Sequence, residues 1–157
     1  MTQIPHLPAL RLGRAYASLD TSEVADYQSG SVLASVSLVN AGMIRRDLRR
    51  IRESREALRR FTTGELIELC RRAGQAFLDG TLPLGDRGHT QSPQQYVETL
   101  SSTSGLPWVM VRRNMDKIHY ALTHMETILN GLTRGLEDSI LDAGYGEQNG
   151  TRVCYYP

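Results

Sequence analysis

Cysteine is scarce: Cys70 and Cys154 are the only two in 157 residues, too few and too far apart for a metal framework. Cys70 falls on the inward side of a helical pattern and reads as a buried free thiol, and two such thiols suit a reducing compartment. Lysine is nearly missing, Lys117 being the only one, which reads as codon bias of the source rather than as chemistry. No apolar run approaches the ~20 residues that span a bilayer. The first twenty residues have no cationic start followed by an apolar run, so no secretory signal is visible. The expectation is a cytoplasmic protein without membrane contact. A formal net charge of +1 gives no overall pull toward nucleic acid or acidic membranes. Phosphate-binding glycine loops of the G-x-x-x-x-G-K and G-x-G-x-x-G kinds are missing, as is a G-x-S-x-G nucleophile elbow. Gly144-Tyr145-Gly146 is a G-x-G, but the next glycine comes only at Gly150 and no strong helix follows.

What remains is an ordinary composition, 40% hydrophobic and 22% charged. A single domain of this length buries roughly two-thirds of its unfolded surface. Ser22 to Ala34 is the most informative stretch. Apolar and polar residues alternate in Glu23-Val24-Ala25-Asp26 and in Val32-Leu33-Ala34-Ser35-Val36, which predicts two strands. Gln28-Ser29-Gly30 between them supplies the turn. Before the hairpin, Met1 to Leu12 is an arm punctuated by Pro5 and Pro8 that cannot form a regular helix, and Arg14 to Leu19 adds a short extended piece.

Helix signals follow. Asn40 is an N-cap for a helix running to about Arg60, with Ile44, Leu48, Ile51, Leu58 and Phe61 on one stripe. Thr62 and Glu65 form a capping box for a second helix, whose apolar face is Leu66, Leu69, Cys70, Ala73 and Phe77 and whose end is Gly80. Residues 81–91 read as a loop. Ser92-Pro93 starts a short helix ending near Ser104-Gly105. Ser101 to Ser104 is hydroxyl-rich and suits that ending, since such side chains compete for backbone bonds. Leu106-Pro107 then opens the longest helix, through about Asn130, with Val111, Met115, Ile118, Leu122, Met125, Leu129 and Leu132 as its stripe. Gly135 to Gly150 is acidic and glycine-rich, with a turn candidate at Gln148-Asn149-Gly150. Arg152 to Tyr156 has strand character. The expected fold is α+β and mostly helical: an N-terminal β-hairpin, about four α-helices and a C-terminal strand stub. It forms a single or partial domain over 1–157, divided as an extended arm (1–20), the hairpin (21–39), a helical region (40–134), and a loop with the stub (135–157).

Few residues carry recognisable chemistry. Arg45, Arg46, Arg49, Arg50, Arg52, Arg55, Arg59 and Arg60 against Asp47, Glu53 and Glu56 give that segment +5. Such a stripe could neutralise phosphates, but few aromatics interleave with it. A solvated face with i,i+4 pairs such as Glu56 to Arg60, or one that docks the acidic segment Glu137 to Glu147, fits better. His119 and His124 lie five apart, not four, and so do not share the face that paired metal ligands require. His89 stands beside Asp86 in a loop. Met110, Met115 and Met125 with Trp108 and Tyr120 suggest an adaptable groove, although stripes at this spacing usually form core. The stripes together exceed what a two-stranded hairpin can cover, so the apolar face Val111 to Leu132 is expected to meet another domain or subunit.

The order of strand, glycine turn, strand and helices from Ser22 to Leu78 resembles the N-terminal part of the nucleotide-binding domain in the aldehyde dehydrogenase superfamily. The resemblance continues in helix order from Pro93 to Gly131. Gly30 stands at the family's turn glycine, while Tyr27 and Gln28 replace its common asparagine and proline. Ile44 to Leu58 is similar to the family's first helix, with Phe61 near the place of its tryptophan. Thr62 to Phe77 is similar to its second helix. Leu82-Pro83-Leu84-Gly85-Asp86 looks more like an acyl-CoA reductase or atypical branch. The resemblance implies an NAD(P)-dependent oxidoreductase acting on an aldehyde or acyl-CoA, with a cysteine nucleophile, a glutamate base, an asparagine at the oxyanion, and NAD or NADP on a Rossmann-type sheet. None of those positions falls in this chain, which is expected to stop near the first Rossmann strand and to be inactive alone. No catalytic, cofactor-binding or metal residue is assigned, Cys70 and Cys154 included. The alternative reading is a free-standing helical interaction module; binding of nucleic acid through the Arg45–Arg60 helix is a distant third.

Overall fold

The computed structural model describes residues 4–86 and 88–154, an α+β arrangement of seven helices and four small sheets among those residues. Pro5 and Pro8 deny the arm a helix, and it pairs as strands instead: β1 (His6–Leu7), β2 (Ala9–Arg11) and β3 (Arg14–Tyr16). The expected hairpin is present as β4 (Thr21–Ala25) and β5 (Val32–Ser37), antiparallel with Val24 opposite Ala34. Its turn is closed by Asp26, whose Oδ1 accepts the backbone N–H groups of Gln28 at 3.0 Å and Ser29 at 2.7 Å, and by Gly30 at φ 70°. β1 adds in parallel to β5, giving the order β1-β5-β4. Strands β2 and β3 form a separate hairpin.

The helix expected from Asn40 to Arg60 is two. Asn40 caps α1 (Ala41–Leu48) as read, its side chain accepting from the Met43 N–H. The chain then turns at Arg49-Arg50 before α2 (Ile51–Leu58). Thr62 and Glu65 make the reciprocal capping box of α3 (Thr63–Asp79). Gly80 ends α3, but its φ is −80°, so handedness is not the reason for glycine there. A Cβ at this position would lie 2.5 Å from the Ala76 carbonyl oxygen. The segment 81–91, read as a loop, contains a short hairpin of β6 (Leu82–Pro83) and β7 (Thr90–Gln91). Ser92 and Gln95 cap α4 (Pro93–Ser104), which stops at Gly105 with φ 74°.

The long helix breaks at His124 into α5 (Trp108–Thr123) and α6 (Met125–Thr133). Local bonds compete with the helical ladder at the break: Thr123 Oγ1 donates to the His119 carbonyl at 2.8 Å. His124 Nδ1 lies 2.8 Å from the Tyr120 carbonyl oxygen, and its ring stacks on Tyr120 at 3.9 Å. The stripe Val111 to Leu132 therefore does not run as one face. Val111 and Met115 are buried, whereas Leu132 is 78% exposed. The acidic, glycine-rich segment holds a further helix, α7 (Asp138–Ala143), and a hairpin of β8 (Tyr145–Gln148) and β9 (Thr151–Cys154) around Asn149-Gly150. The strand read as a stub is thus paired, with Val153 opposite Gly146 and Cys154 opposite Tyr145. Tyr155, Tyr156 and Pro157, like Met1 to Gln3 of the arm, lie outside the described residues.

A small core joins three helices. Val97 of α4 and Val111 and Met115 of α5 pack with Phe77 of α3, Tyr96 and Leu100, and the Phe77 and Tyr96 rings meet edge to face at 5.3 Å. Helices α3 and α5 approach closely at Gly74, where a Cβ would stand 3.0 Å from Leu122 Cβ. The hairpin β4–β5 is tied to this core by the Tyr27 N–H, which donates to the Ser102 carbonyl at 2.9 Å. A second contact buries Ile140 of α7 against Gly146. Cys70 is only half-buried, not the buried thiol expected, and Cys154 is exposed.

The accessible surface is 11766 Å², against about 7,900 Å² for a folded monomer of 17.5 kDa. On the same scaling the chain hides only about 54% of its unfolded surface rather than the expected two-thirds. The difference is written in the helices. α1 and α2 bury no residue at all, and Ile44, Leu48, Ile51, Leu58 and Phe61 are all exposed.

Candidate functional site

Where α3 and α6 lie side by side, they leave a groove of about 1100 Å³, closed at its ends by the α2–α3 turn and by α7 with β8 and β9. Its walls follow from local sequence. The capping box at Thr62 fixes the entry of α3 and sends Leu66, Ile67 and Cys70 along one side. Met125 and Leu129 line the other side, placed there by the break at His124, which redirects α6. Leu58 and Phe61 form one end, both more than half exposed. The Asn149-Gly150 turn, with φ 52° and 74°, folds β9 back so that Arg152 and Cys154 reach the opposite end.

One carboxylate borders the groove with fixed partners. Asp142 Oδ1 accepts from the Thr63 N–H at 2.7 Å and from Thr63 Oγ1 at 2.6 Å, holding α7 against the N-terminus of α3. An acid at a helix start is favourable by charge as well as by hydrogen bonding. Four arginines stand at the rim: Arg55, Arg59, Arg60 and Arg152. None has an ion-pair partner among the described residues, where the pairs are Arg11–Asp47, Arg50–Glu53, Arg71–Glu68 and Arg72–Glu68. Neither the i,i+4 pair Glu56 to Arg60 nor docking of the acidic segment Glu137 to Glu147 onto the arginine helix is among those pairs; within that segment, Asp142 is held by Thr63 instead.

Arg11 and Asp47 form the best-built pair, with Nε and Nη2 of the guanidinium meeting both carboxylate oxygens at 2.8 and 2.7 Å. The guanidinium also lies over the Tyr16 ring at 4.9 Å. The hydrogen-bonded arginine holds Asp47 below the usual carboxylate range. This links the β2–β3 hairpin to α1; it is a tie between elements rather than a reaction centre.

Two other groups invite a catalytic reading. His6 Nδ1 and Nε2 lie 2.8 and 3.0 Å from Ser35 Oγ and Ser37 Oγ. Ser37 is buried, and its Oγ also accepts from the Ser18 N–H at 2.9 Å. Both ring nitrogens are therefore committed to fastening β1 on β5, an arrangement that sequence spacing gave no sign of. Cys70 and Cys154 both border the groove, yet neither thiol has a hydrogen-bonded base among the described residues, the partner that activates a nucleophile. His119 and His124 fall on opposite sides of the consequences of one break: His119 Nε2 is enclosed within α5's packing without a hydrogen bond, and His124 stacks outside. His89 lies at the β6–β7 hairpin, with its N–H 3.4 Å from the Asp86 carbonyl oxygen. Among the described residues no cluster of three or more His, Cys, Asp or Glu could hold a metal, and no helix is long and apolar enough to cross a membrane. The groove brings together an apolar floor and a cationic rim, and among the described residues neither thiol that borders it has a hydrogen-bonded base. Comparison with protein-family models, with curated proteins and with solved structures returns no match to this chain.

Proposed function

We propose that this chain is the scaffold portion of an aldehyde dehydrogenase-like NAD(P)-dependent oxidoreductase, acting on an aldehyde or acyl-CoA, and that it docks through its uncovered apolar faces on a catalytic portion supplied elsewhere. The observation that carries this reading is the surface excess of about 3,900 Å² over a closed monomer of the same mass. A standard protein interface hides about 800 Å² per partner, so the excess is several times an ordinary contact patch. The hairpin at Ser22 to Ala34 and the following order of helices supply the family part of the proposal.

The test is complementation. The chain alone should reduce no NAD or NADP with aldehyde or acyl-CoA substrates and should bind a hydrophobic dye strongly. Co-expression with the reading frame that flanks it, if that frame carries the cysteine motif, should give a stable complex with dye binding lost and activity gained. An isolated chain that is monomeric, silent to the dye and sharply cooperative in melting would overturn the proposal. Activity of the isolated chain that depends on Cys70 or Cys154 would do so as well.

A second reading has its own observation. Trp108, Val109, Met110, Tyr120 and Leu132 on α5 and α6 are exposed, as on a free-standing helical interaction module. Light scattering separates the two: a discrete homodimer without dye binding and without need of a flanking gene product favours the module.

A further inference from the structure

The groove between α3 and α6 combines two properties that select one kind of occupant. Its floor is apolar, with Leu66, Ile67 and Leu129, and is bounded by helices. A gap between two helix surfaces accepts a third helix, whose ridge of side chains at i, i+3, i+4 and i+7 enters it. The rim is cationic: Arg55, Arg59, Arg60 and Arg152 lack ion-pair partners among the described residues, and the one bordering acid, Asp142, is held by Thr63.

The charge continues beyond the groove. Arg45, Arg46, Arg49 and Arg52 on α1 and α2 are likewise outside the ion pairs among the described residues, beside the exposed apolar residues Ile44, Leu48 and Ile51. A second copy of the same face would bring arginine against arginine, and like charges set together across an interface are costly. A nucleic acid would use the rim but leave the apolar floor unfilled, and few aromatics interleave with the arginines to stack on bases. We infer that this groove is a docking site for an acidic amphipathic helix of a partner polypeptide, its leucine-type ridge on the floor and its carboxylates against the arginine rim. The inference concerns the partner's chemistry and holds for either reading of the chain's function.

Fluorescence anisotropy on the full chain tests it without any enzymatic readout. The probes are a labelled amphipathic helical peptide with leucines at helical spacing and glutamates on both flanks, and a peptide of the same leucine positions with lysines in place of glutamates. The acidic peptide should bind at least about tenfold tighter than the basic one at low ionic strength, with the gap narrowing as salt rises. R55E combined with R59E should erase that preference, while R113E on α5, outside the groove, should preserve it. L58Q removes an exposed apolar anchor and should weaken the acidic peptide about tenfold, with circular dichroism unchanged. Equal binding of the two peptides, or indifference to R55E/R59E in folded protein, overturns the inference. So does an unlabelled DNA duplex that displaces the peptide and loses its own binding in R55E/R59E, or a homodimer that dissolves with that variant. Failure of the peptide assay leaves the complementation test untouched, and the converse holds.

Discussion

Val111 and Val109 stand on the same helix, one at 0% and the other at 56% exposure. Truncation to alanine removes the same two carbons from each, so the pair isolates burial from chemistry. At Val111 the lost transfer free energy is about 1.6 kcal/mol at ~0.8 kcal/mol per methylene, and the residual cavity raises it toward about 2–3 kcal/mol. Alanine's better helix propensity returns about 0.5 kcal/mol at both positions. Val111→Ala should therefore be destabilised by about 2 kcal/mol, and Val109→Ala should be level with the parent or slightly more stable. Urea unfolding measures the difference, followed by the fluorescence of Trp108, the only tryptophan. With an m-value of about 1–3 kcal/mol per molar for small proteins, the two midpoints should lie about 1 M apart with m unchanged. Equal midpoints, or a larger fall for Val109→Ala, would refute the assignment of Val97, Val111 and Met115 as the core.

Three further outcomes are expected. Arg11 holds Asp47 below its ordinary range, so the unfolded chain takes up that proton first. The contribution of the pair is full above the ordinary aspartate value of about 4 and fades as pH falls through the lower folded value. The stability gap between parent and Asp47→Asn should thus be present at neutral pH and close in acid; a gap that widens in acid contradicts the pairing. Gly105→Ala places a Cβ at φ 74° and should lower stability by about 1 kcal/mol, read as a fall in melting temperature, with no change arguing against the left-handed cap. Gly150→Val puts a β-branched residue at φ 74° and should unpair β8 from β9; retention of the cross-strand nuclear Overhauser contacts between Glu147 and Arg152 in that variant would show the turn to be unimportant.

Signals contained within a few residues were legible. Asn40, Thr62 with Glu65, and Ser92 with Pro93 each cap the helix they announce, because a cap is a bond between neighbours. The hairpin β4–β5 was legible for the same reason, since Asp26 and Gly30 close it locally. Breaks within helices were not. Apolar spacing passes smoothly through Arg49-Arg50 and through His124, and only side-chain bonding to nearby carbonyls shows why the second helix stops. Asn149-Gly150 is the strongest short hairpin signal, but Tyr145 to Gln148 on one side is too polar to read as a strand. The β1–β5 pairing joins residues about thirty positions apart through His6 and two serines, and no local pattern reports it. The groove was half legible: the arginines stood out by charge, whereas its floor depends on α6 having been turned at His124.

α1 and α2 bury none of their residues, and among the described residues Arg11–Asp47 is the ion pair that ties α1 to the strands. Backbone amides in these two helices should exchange with solvent almost as fast as in the unfolded chain, while those of α3 and α5 are protected. Fixing a residue costs about 1–2 kcal/mol of backbone entropy, and the proposed helix, closing on Leu58 and the neighbouring arginines, would have to order α2 as it binds. For the proposed helix, that ordering would lower the affinity per unit of buried area. Were the proposed helix to dock there, whatever orders α2 beforehand, by a second contact or a neutralised charge, would tighten it without adding a single atom to the groove.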